Sequence, residues 1–222
     1  PGRRGAPVRG ALVTDFIADA IADRTLGLAL HYPMLHAAVI GMNAQDTLEF
    51  GAGGSTRVIL DALRETGGRH MSISTETGGE IAEKHGILHD ADWFHLDGLS
   101  AEHRDFKAGP LDLVLHDGSH TAEVVADDIA WVWPHVRQFG LLFVHDTQHS
   151  GCGADMRRGL QAGLLRAKAK FTTTTLSYGF GLTIVRREDD GEGMGPVSPA
   201  VAKVTSPHTT ALAPFAMLEW RP

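Results

Sequence analysis

Strands and helices alternate along most of this chain, and the alternation restricts the folds that it can adopt. Five short apolar runs have the length and composition of strands, and helical patterns or turns separate them. Such an order predicts an α/β fold in which a parallel, doubly wound sheet is built with right-handed crossovers. The predicted strands are Thr47–Phe50, Arg69–Ser74, Asp92–Leu96, Leu111–His116 and Gly140–His145.

Segments with the apolar spacing of helices, and two β-rich runs late in the chain, complete the set of predicted elements. The late runs flank Gly179-Phe180-Gly181, which is typical of an antiparallel hairpin. We predict that residues 1–45 form an N-terminal tail and helices that pack on the core. Residues 46–187 are predicted to form the core domain, and residues 188–222 a mostly irregular tail. The predicted helices are Asp15–Leu30 (one or two), His31–Met42, Arg57–Leu63, Gly79–His85, Thr121–Trp133 and Ala154–Lys170, and the hairpin runs are Phe171–Tyr178 and Gly181–Arg187.

Composition argues against several classes of partner. The 222 residues carry a formal net charge of −7, and no run of Lys or Arg suggests binding to nucleic acid or to an anionic membrane. No apolar run reaches the ~18 residues that a membrane-spanning helix needs. A single cysteine, Cys152, cannot form an intramolecular disulfide and fits a reducing compartment. We therefore expect a cytoplasmic protein with neither nucleic-acid nor membrane partners.

A glycine-rich turn links the first predicted strand to the helix behind it. Gly51, Gly53 and Gly54 fall within four positions, and Ser55 or Thr56 stands where a helix N-cap belongs. Glycines let the backbone turn sharply and let a ligand approach closely. The free N–H groups of a helix N-terminus also attract anions. The turn alone fits a cofactor cradle and a tight strand-to-helix connection equally well.

Ionisable side chains concentrate at the ends of the predicted strands. In doubly wound sheets, ligands bind beyond the carboxyl ends of the strands, near the switch point. The first strand carries Glu49 at its end, the second is followed by Ser74–Glu76 and the third by Asp97. The last two strands end in one pattern, His-Asp-x-x-His, at His116–His120 and His145–His149. We expect these groups to converge on one crevice.

Two carboxylates beside imidazoles are typical of a divalent cation site. Oxygen ligands such as Asp117 and Asp146 favour Mg²⁺, Ca²⁺ or Mn²⁺, and histidine also suits Mn²⁺, Fe²⁺ or Zn²⁺. A metal would lower the pKa of a bound hydroxyl, and a nearby imidazole could take the proton. In the alternative interpretation both acids only cap the helices that follow them. His116 and His149 are interpreted as packing residues.

These residues resemble a known superfamily. Glu49-Phe50-Gly51-Ala52-Gly53 is similar to the E/D-x-G-x-G motif of class I S-adenosylmethionine-dependent methyltransferases. The alternation followed by a hairpin resembles their Rossmann-like, mostly parallel, seven-stranded sheet. The segment 111–147 resembles the small-molecule O-methyltransferases of the cephalosporin-hydroxylase and macrolide-sugar type, which carry D-G-x-H after strand four and an acidic pair or H-D-T after strand five. The resemblance covers residues 46–187.

The resemblance implies a site for S-adenosylmethionine. The glycine turn would approach the methionine part of the cofactor, with Glu49 near its amino group. An acid after the second strand would take the ribose hydroxyls, and Glu76 is preferred over Ser74 for this role. Asp97 would face the adenine amino group. The implied cofactor-binding residues are Glu49, Gly51, Ala52, Gly53, Ser74, Glu76, Asp97 and Gly98.

The resemblance also implies a metal site and a base. Asp117 and Asp146 would hold Mg²⁺ or Mn²⁺, with His145 in the place of the family's other acidic ligand. His145 is a softer ligand than an acid, so in a second arrangement it points away and the two acids bind the metal with water. His120 would be the general base that deprotonates the acceptor hydroxyl.

The leading hypothesis is methyl transfer to a hydroxyl of a small molecule, such as a sugar or a polyketide-like natural product. The alternatives are a metal-independent methyltransferase with His120 as base, a nicotinamide-dependent oxidoreductase and a non-catalytic cofactor-binding protein. The turn G-A-G-G-S differs from the G-x-G-x-x-G of nicotinamide enzymes. The sequence lacks the G-x-S-x-G elbow that would indicate a hydrolase. Assembly into a homo-oligomer is left open.

Overall fold

The structure is a computed structural model that describes residues 13–23, 27–87, 92–105 and 109–188. The basic segment at Pro1–Gly10 and all but the first residue of the predicted irregular tail lie outside these ranges. No helix in this part of the chain combines the length and the apolar character that crossing a membrane requires.

One sheet contains seven strands. They are β1 (Asp46–Phe50), β2 (Arg69–Ser74), β3 (Trp93–Asp97), β4 (Leu111–His116), β5 (Val136–His145), β6 (Phe171–Leu176) and β7 (Leu182–Arg187). Their order is β3-β2-β1-β4-β5-β7-β6. Strands β1 to β5 run parallel, and β7 is antiparallel to both β5 and β6. The predicted mostly parallel sheet with a terminal hairpin is confirmed.

Helices cover both faces of this sheet. They are α1 (Val13–Asp23), α2 (Tyr32–Gly41), α3 (Gly54–Thr66), α4 (Gly78–His85), α5 (Ala122–Val132) and α6 (Gly153–Arg166), with short 3-10 helices at Gly27–His31, Ser100–His103 and Trp133–His135. Helix α6 ends before the predicted Lys170, because Lys168 adopts the left-handed conformation at φ 51° and turns the chain back towards β6.

Local side-chain chemistry fixes the start of α4. The hydroxyl of Thr77 accepts a hydrogen bond from the Glu80 backbone N–H, and the Glu80 carboxylate accepts one from the Thr77 N–H. This reciprocal capping box satisfies two of the donors that a helix N-terminus leaves free. The helix ends at Gly86, which has φ 62°. Local sequence signals therefore set both ends of α4, with Thr77 and Glu80 at its start and Gly86 at its end.

Strand β5 begins four residues before its predicted start at Gly140. Its first residues pair with β4 ahead of a register shift, since Leu111 pairs with Val136 but Leu113 pairs with Leu141. Phe139 lies in the irregular part and has φ 62°. Between these two pairs β5 contains three residues more than β4, and such extra residues interrupt the alternation of inward and outward side chains. The apolar pattern therefore revealed only the regular second half of the strand.

Two apolar layers sandwich the central strands. Leu48, Phe50, Val114 and Val144 pack with residues of α5 and α6 on one face. On the other face, Leu113, Leu115 and Phe143 pack with residues of α2 and α3. Burying apolar area stabilises a fold by roughly 25 cal/mol per Å². The rigid sheet that results holds the loops at the carboxyl ends of β1 to β5 in fixed positions.

Candidate functional site

A cavity of about 490 Å³ opens at the carboxyl edge of the sheet. The strand order reverses between β1 and β4, and such a switch point is where doubly wound sheets bind ligands. The volume lies in the usual range for small-molecule sites. Its lining includes Gly51 and Ala52 after β1, Ser74–Glu76 after β2, Gly98–Ala101 after β3, Asp117–Ser119 after β4, and Lys84, Val124 and Asp128 from the helices.

The glycine turn brings the loops after β1 and β4 into contact. Gly51 has φ 85°, and a Cβ at this position would overlap the Asp117 carbonyl. The Asp117 N–H donates to the Phe50 carbonyl at 2.9 Å. Glycine is therefore required at position 51 by the neighbouring backbone. Because Gly51 and Ala52 also line the cavity, the tight connection and the cradle are compatible interpretations of one turn.

Glu49 lies beneath the turn rather than in the cavity wall. Its carboxylate is fully buried and accepts hydrogen bonds from the hydroxyls of Ser55 and Thr56, the latter at 2.6 Å. His70 Nε2 lies 3.3 Å away. The expected N-cap at Ser55 or Thr56 is wrong, because α3 is capped at Gly53 and both residues lie in its first turn. Glu49 thus fixes the start of α3 from inside the protein.

The predicted ribose and adenine residues occupy different surroundings. Ser74, Glu76 and Gly98 line the cavity, whereas Gly53 and Asp97 are not among its described lining residues. The Glu76 carboxylate is exposed and lies 3.2 Å from Lys84 Nζ at the cavity wall. The amino group of Lys84 is a candidate contact that no sequence pattern singled out.

Asp97 points towards the start of α4. Its carboxylate accepts a hydrogen bond from the Gly78 N–H at 3.2 Å and lies 3.2 Å from His95 Nε2. Gly98 follows with φ 123°, and its N–H donates to the Ser74 carbonyl at 2.8 Å. The adenine role given to Asp97 stays a prediction.

Asp128 is a buried acid that the sequence analysis did not single out. It belongs to α5, is 1% exposed and contributes to the cavity wall. Its carboxylate lies 3.0 Å from His116 Nε2 and accepts hydrogen bonds from Ser100, at 2.6 Å, and from Arg104. Asp128 therefore ties the segment after β3 to the end of β4. His116, interpreted as a packing residue, is the buried partner of this acid.

The two His-Asp-x-x-His segments meet at the ends of β4 and β5. His120 Nε2 lies 2.8 Å from Asp146 Oδ2, and His145 Nδ1 lies 2.8 Å from Asp117 Oδ1 and 3.3 Å from Asp146 Oδ1. The predicted convergence of these four side chains is therefore observed. Asp146 adopts φ 59°, which turns its carboxylate away from the regular strand direction.

These pairings shift the pKa values in consistent directions. The hydrogen bond that His120 donates to Asp146, aided by the charges of Asp146 and Asp117, raises the pKa of His120 against its partial burial. Burial alone would lower the pKa of His145, but the hydrogen bond to Asp117 and the two carboxylate charges outweigh it and raise the pKa. Burial would raise the pKa of Asp146, yet its imidazole partners lower it. These contacts therefore favour the charged forms of His120, His145 and Asp146.

Donor chemistry at this cluster fits a divalent cation. One ligand atom each from Asp117, His145 and Asp146 lie within 4.8 Å of one another. Asp146 Oδ1 is buried and accepts no hydrogen bond within the described ranges. A buried carboxylate oxygen without a donor is costly, and a cation would satisfy it. A second group, His120, Asp146 and Cys152, meets the same distance limit and shares Asp146.

Within the described residues, His149 is not a member of either group of candidate metal ligands. Its Nδ1 accepts hydrogen bonds from the Gly151 and Cys152 backbone and lies 3.4 Å from the Cys152 sulfur. His149 therefore organises the turn that leads into α6, in agreement with its interpretation as a packing residue.

Residues 48–147 match the family described as a methyltransferase domain. No curated protein matches the chain. Among solved structures, the chain is similar to the SAH-bound methyltransferase PaMTH1 of Podospora anserina, with a TM-score of 0.62 and 15% identity over 82% of this chain and 89% of that one. It is also similar to an O-methyltransferase from Bacillus cereus in complex with SAH, with a TM-score of 0.58 and 14% identity over 78% and 91%.

A third similar structure is MycE from the mycinamycin biosynthetic pathway, in complex with Mg, SAH and mycinamycin VI. The TM-score is 0.58 and the identity 20%, over 86% of this chain and 58% of MycE. The chain thus spans little more than half the length of MycE. At these identities the likeness establishes a shared fold.

Acidification should destabilise the protein in part through Asp128. Burial alone would raise the pKa of this acid, but the hydrogen bonds and charges of His116, Ser100 and Arg104 lower it. A carboxyl with a lowered pKa stabilises the fold above its unfolded value of ~3.9, and this contribution is lost as the pH falls through the folded pKa. Asp128→Asn should therefore cost about 1–3 kcal/mol at neutral pH, and urea unfolding should show the difference shrinking at acidic pH.

The matched control for this prediction is the neighbouring Asp127→Asn. Asp127 is exposed and bonded to Arg166 on the surface, so its replacement should leave the unfolding midpoint almost unchanged. A wild-type advantage over Asp128→Asn that stays constant between neutral and acidic pH would contradict the role given to the Asp128 carboxylate.

Proposed function

Because residues 48–147 match a methyltransferase domain on a class I methyltransferase fold, we propose that this protein transfers a methyl group from S-adenosylmethionine to a hydroxyl of a small molecule. The family match and the fold confirm the predicted resemblance to class I methyltransferases. The observation that carries the proposed reaction is the continuity of two features. The cavity reaches Asp117, and Asp117 belongs to the cluster that contains His145, Asp146 and His120.

The cofactor would lie in the cavity at the switch point. The backbone at Gly51 and Ala52 offers close approach without large side chains, and Glu76 beside Lys84 offers a carboxylate to the ribose hydroxyls. Leu99 and Ala101 line the same cavity and would offer apolar surface to the adenine. S-adenosylmethionine, when bound, supplies an electrophilic methyl group on a sulfonium. Gly51, Ala52 and Glu76 would hold it in this cavity, whose wall includes Asp117 of the carboxylate cluster.

Asp117, Asp146 and His145 would hold a divalent cation, Mg²⁺ or Mn²⁺, and MycE is a structural relative solved with Mg. Such a cation supplies Lewis acidity that lowers the pKa of an acceptor hydroxyl. His120 would take the hydroxyl proton on its imidazole, and Asp146 orients that ring through the 2.8 Å contact. The raised pKa of His120 makes it a stronger base while reducing its deprotonated fraction at neutral pH. Fixing base and acceptor together lowers the entropic part of the barrier.

The acceptor class follows from the predicted resemblance, which implies a sugar or natural-product-like molecule. MycE is a relative whose structure contains mycinamycin VI. A cytoplasmic location and a homo-oligomeric state stay predictions.

A second candidate, a metal-independent methyltransferase, is favoured by one specific observation. Asp117 and Asp146 already have imidazole partners at 2.8 Å, in His145 and His120. These pairs offset the carboxylate charges without a cation. In this version His120 alone would deprotonate the acceptor, and Asp117 would orient His145.

Calorimetric titration should show micromolar binding of S-adenosylhomocysteine and no binding of NAD⁺. The glycine turn and the switch-point cavity fit the former, whereas the turn G-A-G-G-S departs from the nicotinamide pattern. Pretreatment with EDTA should leave this binding intact, because Gly51, Ala52 and Glu76, which would hold the cofactor, are not among the proposed metal ligands. Binding of NAD⁺ alone would overturn the proposed function, and binding of neither would favour a non-catalytic protein.

His120→Ala should lower turnover by roughly 10²- to 10⁴-fold, the range expected for loss of a general base. The affinity for S-adenosylhomocysteine should stay within about twofold of wild type, because His120 is not among the described cavity-lining residues. His135→Ala is the control, since this histidine precedes β5 at the opposite edge of the sheet. An unchanged rate in His120→Ala would remove it from the base role.

Asp146→Asn should abolish both Mn²⁺ binding and any stimulation of turnover by Mg²⁺ or Mn²⁺. Asparagine tolerates the left-handed backbone at this position, so the fold should be retained. Electron paramagnetic resonance of Mn²⁺ measures binding directly, and Asp155→Asn in the first turn of α6 is the control. Undiminished Mn²⁺ binding by Asp146→Asn would exclude Asp146 as a ligand. A wild-type protein that is active but binds no Mn²⁺ would favour the metal-independent candidate.

A further inference from the structure

Three large apolar side chains are exposed beside the carboxylate cluster. Tyr178 and Phe180 lie in the loop between β6 and β7, and their side chains are 49% and 42% exposed. Leu30 in the 3-10 helix Gly27–His31 is 38% exposed. We call Leu30, Tyr178 and Phe180 the aromatic patch. Exposed apolar groups that gather at one place on a protein often mark a binding surface.

The aromatic patch is held together by close packing of its backbone. Gly179 has φ 61°, and a Cβ there would lie 3.3 Å from Leu30 Cδ1 and 3.2 Å from the Gly27 carbonyl. The Phe180 ring rests on Gly27, where any added Cβ would overlap the ring. Loop and 3-10 helix are therefore in contact, and together they present the aromatic rings in fixed positions.

Two histidines connect this patch to the carboxylate cluster. The His31 ring is 4.6 Å from the Tyr178 ring and 5.6 Å from the ring of His145. The His149 ring is 4.6 Å from the Phe180 ring. His149 follows Asp146 by three residues, and its N–H donates to the Asp146 carbonyl at 3.1 Å. The aromatic patch therefore adjoins the proposed metal ligands.

The patch and the cavity approach the cluster from different elements. The cavity is lined by the loops after β1 to β4 with parts of α4 and α5, whereas the patch comes from the β6–β7 loop and the 3-10 helix. A methyl transfer needs the cofactor and the acceptor on opposite sides of the transferred carbon. If the cofactor fills the cavity, the patch remains as apolar surface for the acceptor.

We infer that the aromatic patch binds the flat apolar face of the methyl acceptor, and that the acceptor is an aryl or similarly apolar alcohol rather than a free sugar. This inference rests on the proposed function, because it takes the cavity as the cofactor site. Ring-on-ring contact with Tyr178 and Phe180 favours an aromatic or fused apolar ring. Stacking would turn the hydroxyl of that ring towards Asp146 and His120.

The test measures binding of 1-naphthol, an aryl alcohol, to the full chain saturated with S-adenosylhomocysteine. Calorimetry should detect 1-naphthol binding to wild type and no binding of methyl α-D-glucopyranoside. Phe180→Ala and Tyr178→Ala should each weaken 1-naphthol binding by about tenfold. Phe139→Ala is the matched control, because Phe139 is equally exposed, at 50%, but belongs to the early part of β5. Leu30→Ser gives a further variant that leaves the loop sequence intact.

Each variant is also titrated with S-adenosylhomocysteine. This titration separates the proposed role of the aromatic patch from the proposed cofactor site in the cavity. Unchanged cofactor binding with weakened 1-naphthol binding supports the aromatic patch. Equal 1-naphthol affinity in wild type, Phe180→Ala, Tyr178→Ala and Leu30→Ser overturns it, as does a wild type that binds the glucoside and not 1-naphthol. If wild type fails to bind S-adenosylhomocysteine, the proposed function fails, and the role of the patch in methyl transfer fails with it.

Discussion

Four carboxylates near the carboxyl edge of this sheet each face an imidazole, and the site depends on these pairs. Desolvating a carboxylate is expensive unless the charge is paired and hydrogen-bonded. The pairs are Glu49 with His70, Asp117 with His145, Asp128 with His116 and Asp146 with His120. These pairs account for four of the 13 histidines in the chain. The fold can bring these acids close together because each of them pairs with a histidine.

The four pairs perform two kinds of task. Glu49 and Asp128 are almost fully buried and fix backbone, one at the start of α3 and the other between the segment after β3 and the end of β4. Asp117 and Asp146 are more accessible and lie where a reactant can reach them. One chemical motif thus builds the cavity wall and also supplies the candidate reactive groups. Burial decides between the two tasks.

Much of this arrangement was predictable from the sequence, because strand period and strand ends are local properties. The positions of β2 and β4 and the meeting of His120, His145, Asp117 and Asp146 all follow from apolar runs and parallel strands. What sequence reasoning missed depends on tertiary contact. Asp128 has no distinguishing neighbour along the chain and acquires its role only through partners 12 to 28 residues away.

Glu49 shows how a correct motif can mislead about contact. Its position before the glycine turn was identified, but the pleat directs its side chain to the face that α3 covers, where Ser55 and Thr56 bond to it. The period of two along β1 places Leu48 and Phe50 on the opposite face. The motif therefore predicted the turn well and the environment of its acid poorly. Both faces of β1 are buried, and the packing of α3 decides which polar groups surround the face that carries Glu49.

His145 is the residue at which the charge balance of the cluster is decided. An acid at this position would put three carboxylates within a few ångströms, and their mutual repulsion would require a cation for the fold to tolerate them. With His145 the cluster contains two acids and two imidazoles, and Asp146 Oδ1 is left as the buried oxygen without a hydrogen bond within the described residues. The two imidazoles therefore offset the charges of both carboxylates from within the protein, and the unbonded Asp146 Oδ1 is the atom at which a cation would add a contact.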